Sequence, residues 1–343
     1  MSGEEADSDI PHPRDTVQLF GHAEAEQTLL NAYRGGHIAH AWLIGGPRGI
    51  GKATLSYRMA RFVLANPDPA APAVQQAGSL AIPADHPAAR RISNQAHPDL
   101  LVLRRVINEK TGKLFQDIRV EDIRDAVPFF GSTAGEGGWR IAIVDSVEEL
   151  NRSGENSLLK ILEEPPPRSL LLLVSNAPGR VLATIRSRCR LLTLRPLSGR
   201  DTANAVATAT GRPAEDPELI EAVAAANGSV GRALDLLDEG ALALRKKVTD
   251  LLGQLPAPDP QAMHALGDAL GFSDPAPLAT FVELVNDWLS QRIETSGDKQ
   301  KLVRIAETWD RVNASARDVE EYNLERKPFV FTVFGLLAET ARA

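Results

Sequence analysis

An α/β chain is predicted: a parallel sheet with helices on both faces, then a small helical lid domain, then an all-α C-terminal domain. Three observations predict it. Short apolar runs near 41–44, 100–103, 140–144, 170–174 and 191–194 alternate with helix-like stretches, the pattern of parallel strands covered on both faces. A glycine-rich turn at Gly46–Thr54 joins the first run to the helical stretch behind it. Strand-like runs stop after about residue 198.

The first 14 residues are acidic and contain proline, so a mobile tail is expected there. Residues 22–34 carry Ala25, Leu29 and Leu30 at helical spacing. Ala41–Ile44 reads as a buried strand, and Leu55, Met59, Phe62 and Val63 share one face of the helix behind the glycine turn. Pro67, Pro69, Pro72, Pro83 and Pro87 punctuate an alanine-rich stretch at 66–96, expected to be loop or linker. Residues 118–130 read as a helix with acidic residues near its start. A strand at Arg140–Val144 ends in Asp145, and a helix at 153–164 is stopped by Pro165, Pro166 and Pro167. Residues 201–240 read as short helices with glycine breaks. Residues 246–343 read as helical throughout, with Leu278, Phe281, Val282, Val285 and Leu289, then Leu302, Ile305, Trp309 and Val312, on the 3.6-residue period. The expected domains are therefore 15–197, 198–244 and 245–343.

Bulk properties narrow the function. A net charge of −7 over 343 residues argues against a protein that coats nucleic acid, although a local basic face stays open. The one cysteine, Cys189, excludes an internal disulfide and any multi-cysteine zinc site. No run of about 18 apolar residues marks a membrane span, and a cytoplasmic protein with no membrane partner is expected.

Gly46 to Thr54 (GPRGIGKAT) follows the phosphate-loop pattern of Gly, four residues, then Gly-Lys-Ser/Thr, with one departure. Gly46, Gly49 and Gly51 let backbone N–H groups crowd around phosphate oxygens, and Lys52 neutralises them. Ala53 stands where the Mg²⁺-holding hydroxyl belongs. Thr54 comes one residue late, which turns it about 100° around the helix. At the end of the 140–144 strand, Asp145 is where an acidic residue orders a Mg²⁺ shell. Ser146 follows where a glutamate would polarise the attacking water, and a serine is a poor base. Glu148 and Glu149 read as a solvated face. Two independent losses favour a chain that does not hydrolyse ATP efficiently. Asn176, after the 170–174 strand, would either meet a phosphate or water or cap a turn. Ser187, Arg188 and Cys189, flanked by Arg186 and Arg190, form either a basic turn or a turn whose Arg188 reaches a neighbour's γ-phosphate. Flanking arginines would lower the Cys189 pKa; a residue that packs beneath the turn rather than reacts is nonetheless expected. Arg232, in Gly228–Arg232 (GSVGR), would touch a bound nucleotide from the helical domain or lie on the surface.

His40–Leu43 (HAWL), Asn156–Pro166 (NSLLKILEEPP) and Ser187–Cys189 (SRC), in this order, resemble the clamp-loader branch of the AAA+ ATPases. The motifs cover roughly 15–245; the C-terminal helices fit that family's collar by composition and position. The resemblance implies an AAA+ P-loop domain, a helical lid and a helical collar for oligomerisation. The family has active motor subunits and a silent one. The motors carry Gly-Lys-Ser/Thr, Asp-Glu and a four-cysteine zinc module. Ala53, Ser146 and the lack of cysteine between 66 and 96 depart towards the silent type, so segment 66–96 must be held by other contacts or be looser. The silent subunit is a stator in a five-subunit ring. It would give Arg188, on a turn shaped by Ser187 and Cys189, to an adjacent motor's ATP site, while the ring loads a sliding clamp on primed DNA. No cofactor would then be required; ATP or ADP could sit at Gly46, Gly49, Gly51, Lys52, Thr54, Asp145, Asn176 and Arg232, without a metal. The alternative is an active motor ATPase.

Overall fold

Alternation along five strands decides how the core is divided. In the computed structural model, which describes residues 11–106, 115, 117–118, 126–131, 138–237, 240–271, 275–295 and 298–342, these strands are β1 (Ala41–Gly45), β2 (Leu100–Leu103), β3 (Arg140–Val144), β4 (Ser169–Ser175) and β5 (Arg190–Thr193). They form one parallel sheet in the order β2-β3-β4-β1-β5. Successive side chains point to opposite faces. Trp42, Ile44, Ile141, Ile143, Leu170 and Leu172 enter a core roofed by the helices Ala23–Arg34 and Lys52–Ala65. Ala41, Leu43, Ala142, Val144, Leu171 and Leu173 enter the opposite core, against the helix Arg152–Glu163. Both faces being buried is why the strands read as unbroken apolar runs.

Segment 66–96 is mostly loop, as its prolines suggest, but it is not a free linker. It holds the short helices Pro72–Gln75 and Pro87–Ser93, and buries Val74, Leu80 and Ile92 in the first core. Polar groups from distant elements fix it. The buried Glu26 carboxylate accepts from Arg58 at 2.5 Å and from the Leu80 N–H at 2.9 Å. Arg34 donates to the carbonyls of Val74 and Ala77, and the Trp139 indole N–H donates to Pro67 O at 3.1 Å. Other contacts do hold the segment that lacks zinc ligands.

Two further expectations are corrected. The mobile tail does not reach residue 14: Arg61 donates to Arg14 O at 2.7 Å, and His12 sits edge-on to Tyr57. Of the helix expected over 118–130, Ala126–Gly131 is helical, whereas Ile118 forms a parallel bridge with Leu150; residues 119–125, with their acidic start, lie outside the described residues.

The sheet unit ends with the helices Gly199–Thr210, Pro217–Ala225 and the start of Val230–Leu237, and the chain divides into two compact units after Leu234. Ser198 and Asp216 cap the first two of these helices by accepting backbone N–H groups, as short polar side chains do at N-caps. Among the described residues the regular elements of the second unit are helices: Ala241–Gly253, Pro260–Ala269, Pro275–Thr295, Lys299–Glu321 and Arg326–Arg342. Its core includes Leu278, Phe281, Val285, Leu289, Ile305 and Val312 from the periodic runs. The expected boundary between 244 and 245 falls inside the helix Ala241–Gly253, whose Leu244 and Val248 both belong to this core. No helix among the described residues is long and apolar enough to cross a membrane.

Candidate functional site

Parallel strands carry their carboxyl ends to one rim, and the glycine turn lies on that rim. β1 ends at Gly45, the turn follows, and the helix Lys52–Ala65 begins with Gly51 as a left-handed N-cap. Register with the neighbours brings Asp145 after β3, Asn176 after β4 and Leu194 after β5 to the same rim. Gly46 N–H donates to Ser175 O, and Leu194 N–H donates to Gly45 O at 2.8 Å.

Lys52 is buried, 4% exposed, and its ammonium donates to Pro47 O at 2.5 Å. Burial pulls its pKa down to about 8, opposed by the negative charges of Asp145 and then Glu148. Burial likewise pushes the Asp145 carboxyl up, and Lys52 pulls it back. The two form a mutually stabilising pair in a poorly solvated place. Asn176 belongs to the same cluster. Its side chain donates to Ser146 Oγ at 3.1 Å and its N–H to Glu148 Oε1 at 2.8 Å. Glu148 is therefore not part of a solvated face: it is half-buried and braces the ends of β3 and β4.

Ser229 and Gly231 join the loop to the start of the helix Val230–Leu237. Ser229 Oγ donates to Arg48 O at 2.9 Å, and Gly231 N–H donates to Gly49 O at 2.9 Å. Gly49 has φ of +75°, and a Cβ there would overlap Ser229 Oγ. Only glycine combines that backbone with that approach. Arg232 N–H donates to Ser229 Oγ at 3.2 Å. His22 is a further residue that the sequence did not single out: its Nε2 lies 2.6 Å from Ile50 O.

The residues present fit a phosphate better than a metal. Lys52 supplies charge and the loop its glycines, as in phosphate cradles. The hydroxyl that would hold magnesium is missing: position 53 is alanine, and Ser56 Oγ donates to Lys52 O at 3.0 Å. Thr54 is half-buried.

Arg188 lies elsewhere. It follows the helix Ala183–Arg186, just before β5. Parallel register pairs Arg190 with Trp42 and Thr193 with Gly45. Arg188 is thus at the amino end of β5, and the loop at the carboxyl end of β1; about 13 Å of strand separates the level of Arg190 from that of Gly46. The structure does not bring Arg188 to Lys52. Its Nη2 is 2.8 Å from Glu163 Oε1 and its Nη1 donates to Thr184 O at 2.9 Å. Ser187 Oγ also donates to Thr184 O. Cys189 packs on the second core, and burial pushes its thiol up to about 11, against the lowering expected from nearby arginines. Arg186 donates to Pro178 O and Arg190 stacks over Trp42, so each arginine of the turn has a separate partner.

Comparison with known proteins gives a consistent set. The family described as DNA polymerase III, delta subunit, matches residues 21–198. The delta' subunit of Pseudomonas aeruginosa DNA polymerase III is 35% identical over 190 residues, 55% of this chain and 53% of that protein. The tau subunit of Bacillus subtilis DNA polymerase III is 29% identical over 232 residues, 66% of this chain and 38% of that protein. The chain thus spans about half the length of the first relative and less of the second. A solved DNA polymerase III gamma-subunit-related protein of Thermotoga maritima is 16% identical, with a TM-score of 0.44, over 92% of this chain and 99% of its own.

Proposed function

This chain belongs to the DNA polymerase III delta-subunit family, and we propose that it is the largely hydrolysis-deficient stator of the clamp loader, lending Arg188 to the ATP site of an adjacent motor subunit. The partners are the motor (gamma/tau) and delta subunits of a five-subunit ring in the cytoplasm, and through it the sliding clamp and primer-template DNA. The observation that carries this reading is the separation of the two sites on one sheet: Arg188 is a third exposed at the amino end of β5, while its own loop is on the opposite rim. An arginine so arranged cannot assist its own loop, but can enter a neighbour's site and stabilise transition-state charge there. Ala53 and Ser146 support the absence of turnover at the chain's own loop. No cofactor is required on this reading, although Lys52 and the glycines leave metal-free ATP or ADP binding possible.

An active motor subunit is the second reading, favoured by the retained Lys52 and Asp145. ATP turnover and nucleotide binding by the purified chain, with and without Mg²⁺, separate the two. The stator reading expects no turnover above background and no Mg²⁺-dependent gain in binding. Steady hydrolysis abolished by Lys52→Ala would establish the motor instead.

A further inference from the structure

We propose that Glu163 is the positioning residue of Arg188: it sets the direction of the guanidinium before a neighbour's phosphate arrives. The inference rests on the stator reading and adds to it a second residue on another element. Glu163 is the last residue of the helix Arg152–Glu163. Glu164 has left helical geometry (φ −125°, ψ 68°), and Pro165, Pro166 and Pro167 forbid continuation. The carboxylate therefore projects from the negative end of the helix dipole, a place that disfavours an acidic side chain. Local helix chemistry gives no reason for it; Arg188 does, at 2.8 Å.

Both anchors are firm. Leu158, Ile161 and Leu162 bury the last turns of the Glu163 helix, and Ile185 buries the short helix that carries Thr184. The guanidinium is held at two points, Nη2 by Glu163 and Nη1 by the Thr184 carbonyl. Two acceptors fix the plane of the fork. They engage two of its five N–H donors, and a bidentate phosphate contact needs two more.

The pair is exposed, 36% for Arg188 and 50% for Glu163, so it contributes little to folding. Its effect is orientation: an arginine held ready loses less freedom when the phosphate comes within reach. Glu163 touches neither ATP nor the reacting atoms, and acts only through Arg188.

The test is steady-state ATPase of the reconstituted loader carrying Arg188→Ala, Glu163→Ala, Glu163→Gln, or the double alanine variant, with ring assembly checked by gel filtration. Arg188→Ala should lower turnover at the adjacent motor's site about 10³-fold or more, so that the loader loses that site's share of its ATPase. Glu163→Ala should lower kcat at that site roughly 3- to 10-fold with KM for ATP unchanged, because the finger acts in the transition state. Glu163→Gln, whose amide oxygen accepts the same bond, should recover most of that loss. Glu163→Ala should cost nothing further when Arg188 is already alanine. If Arg188→Ala leaves turnover normal, the stator reading itself fails. If Arg188→Ala is crippled but Glu163→Ala matches the unaltered loader, or its loss persists in the double variant, the positioning role is overturned and the finger stands.

Discussion

Lys52 shows how a phosphate-loop residue behaves in a chain where the Mg²⁺ ligand is missing. Its ammonium is buried, bonded to the loop's own Pro47 carbonyl, and balanced by Asp145 and Glu148. Burial of the charged form opposes folding, and the sign of the pH effect follows. Below about 8 the lysine is protonated in both states; between about 8 and 10.5 the folded chain has released a proton that the unfolded chain still binds. Stability should therefore gain a rising contribution with pH across that window. Tyr33, whose phenol is pushed up by burial, acts in the opposite sense at the upper end, where the unfolded chain ionises near 10.0. Urea melts at pH 7.5 and 9.5 read the effect. The unaltered chain should gain stability relative to Lys52→Met, and equal pH dependence in both would show that Lys52 is not buried as a cation.

Among the elements, segment 66–96 makes the clearest case for long-range polar support. Glu26 and Arg58 are each 10% exposed at the side chain, and Glu26 also accepts the Leu80 N–H. Removing one partner of a buried pair leaves a charge with nothing to balance it, at a cost of about 3–5 kcal/mol. Glu26→Ala should lower stability by that order and raise hydrogen exchange at Val74–Leu80 ahead of β1 and β4. Exchange unchanged at Val74–Leu80 would mean that apolar packing alone holds the segment. The same segment marks where sequence reading stops. Strands β1, β3 and β4 were legible because strands buried on both faces leave continuous apolar runs. The anchors of 66–96 were not, because Glu26, Arg34 and Arg58 are charged residues on helices, and such residues ordinarily face water. Glu148 reads as solvated for the same reason, and the contacts of Ser229 and Gly231 with the loop leave no local signature because they span some 180 residues of sequence.

At the scale of the molecule, each of the two units has its own apolar core. The helical periodicity that marked the second core could not locate the boundary, since a helix-to-helix junction leaves no change of period; Ala241–Gly253 runs across the expected cut. The Ser-Arg-Cys turn was legible as a motif, but its place at the amino end of β5, away from its own loop, came only from the parallel register of β1 and β5. That separation is the basis on which we propose that the chain acts on a neighbour's nucleotide. The most direct measurement is ATP turnover by the reconstituted loader in which this chain alone carries Arg188→Ala and the ring is shown to remain assembled. The account predicts a fall of about 10³-fold or more at the adjacent motor's site, read as the loss of that site's share of loader turnover; turnover equal to that of the unaltered loader would contradict it.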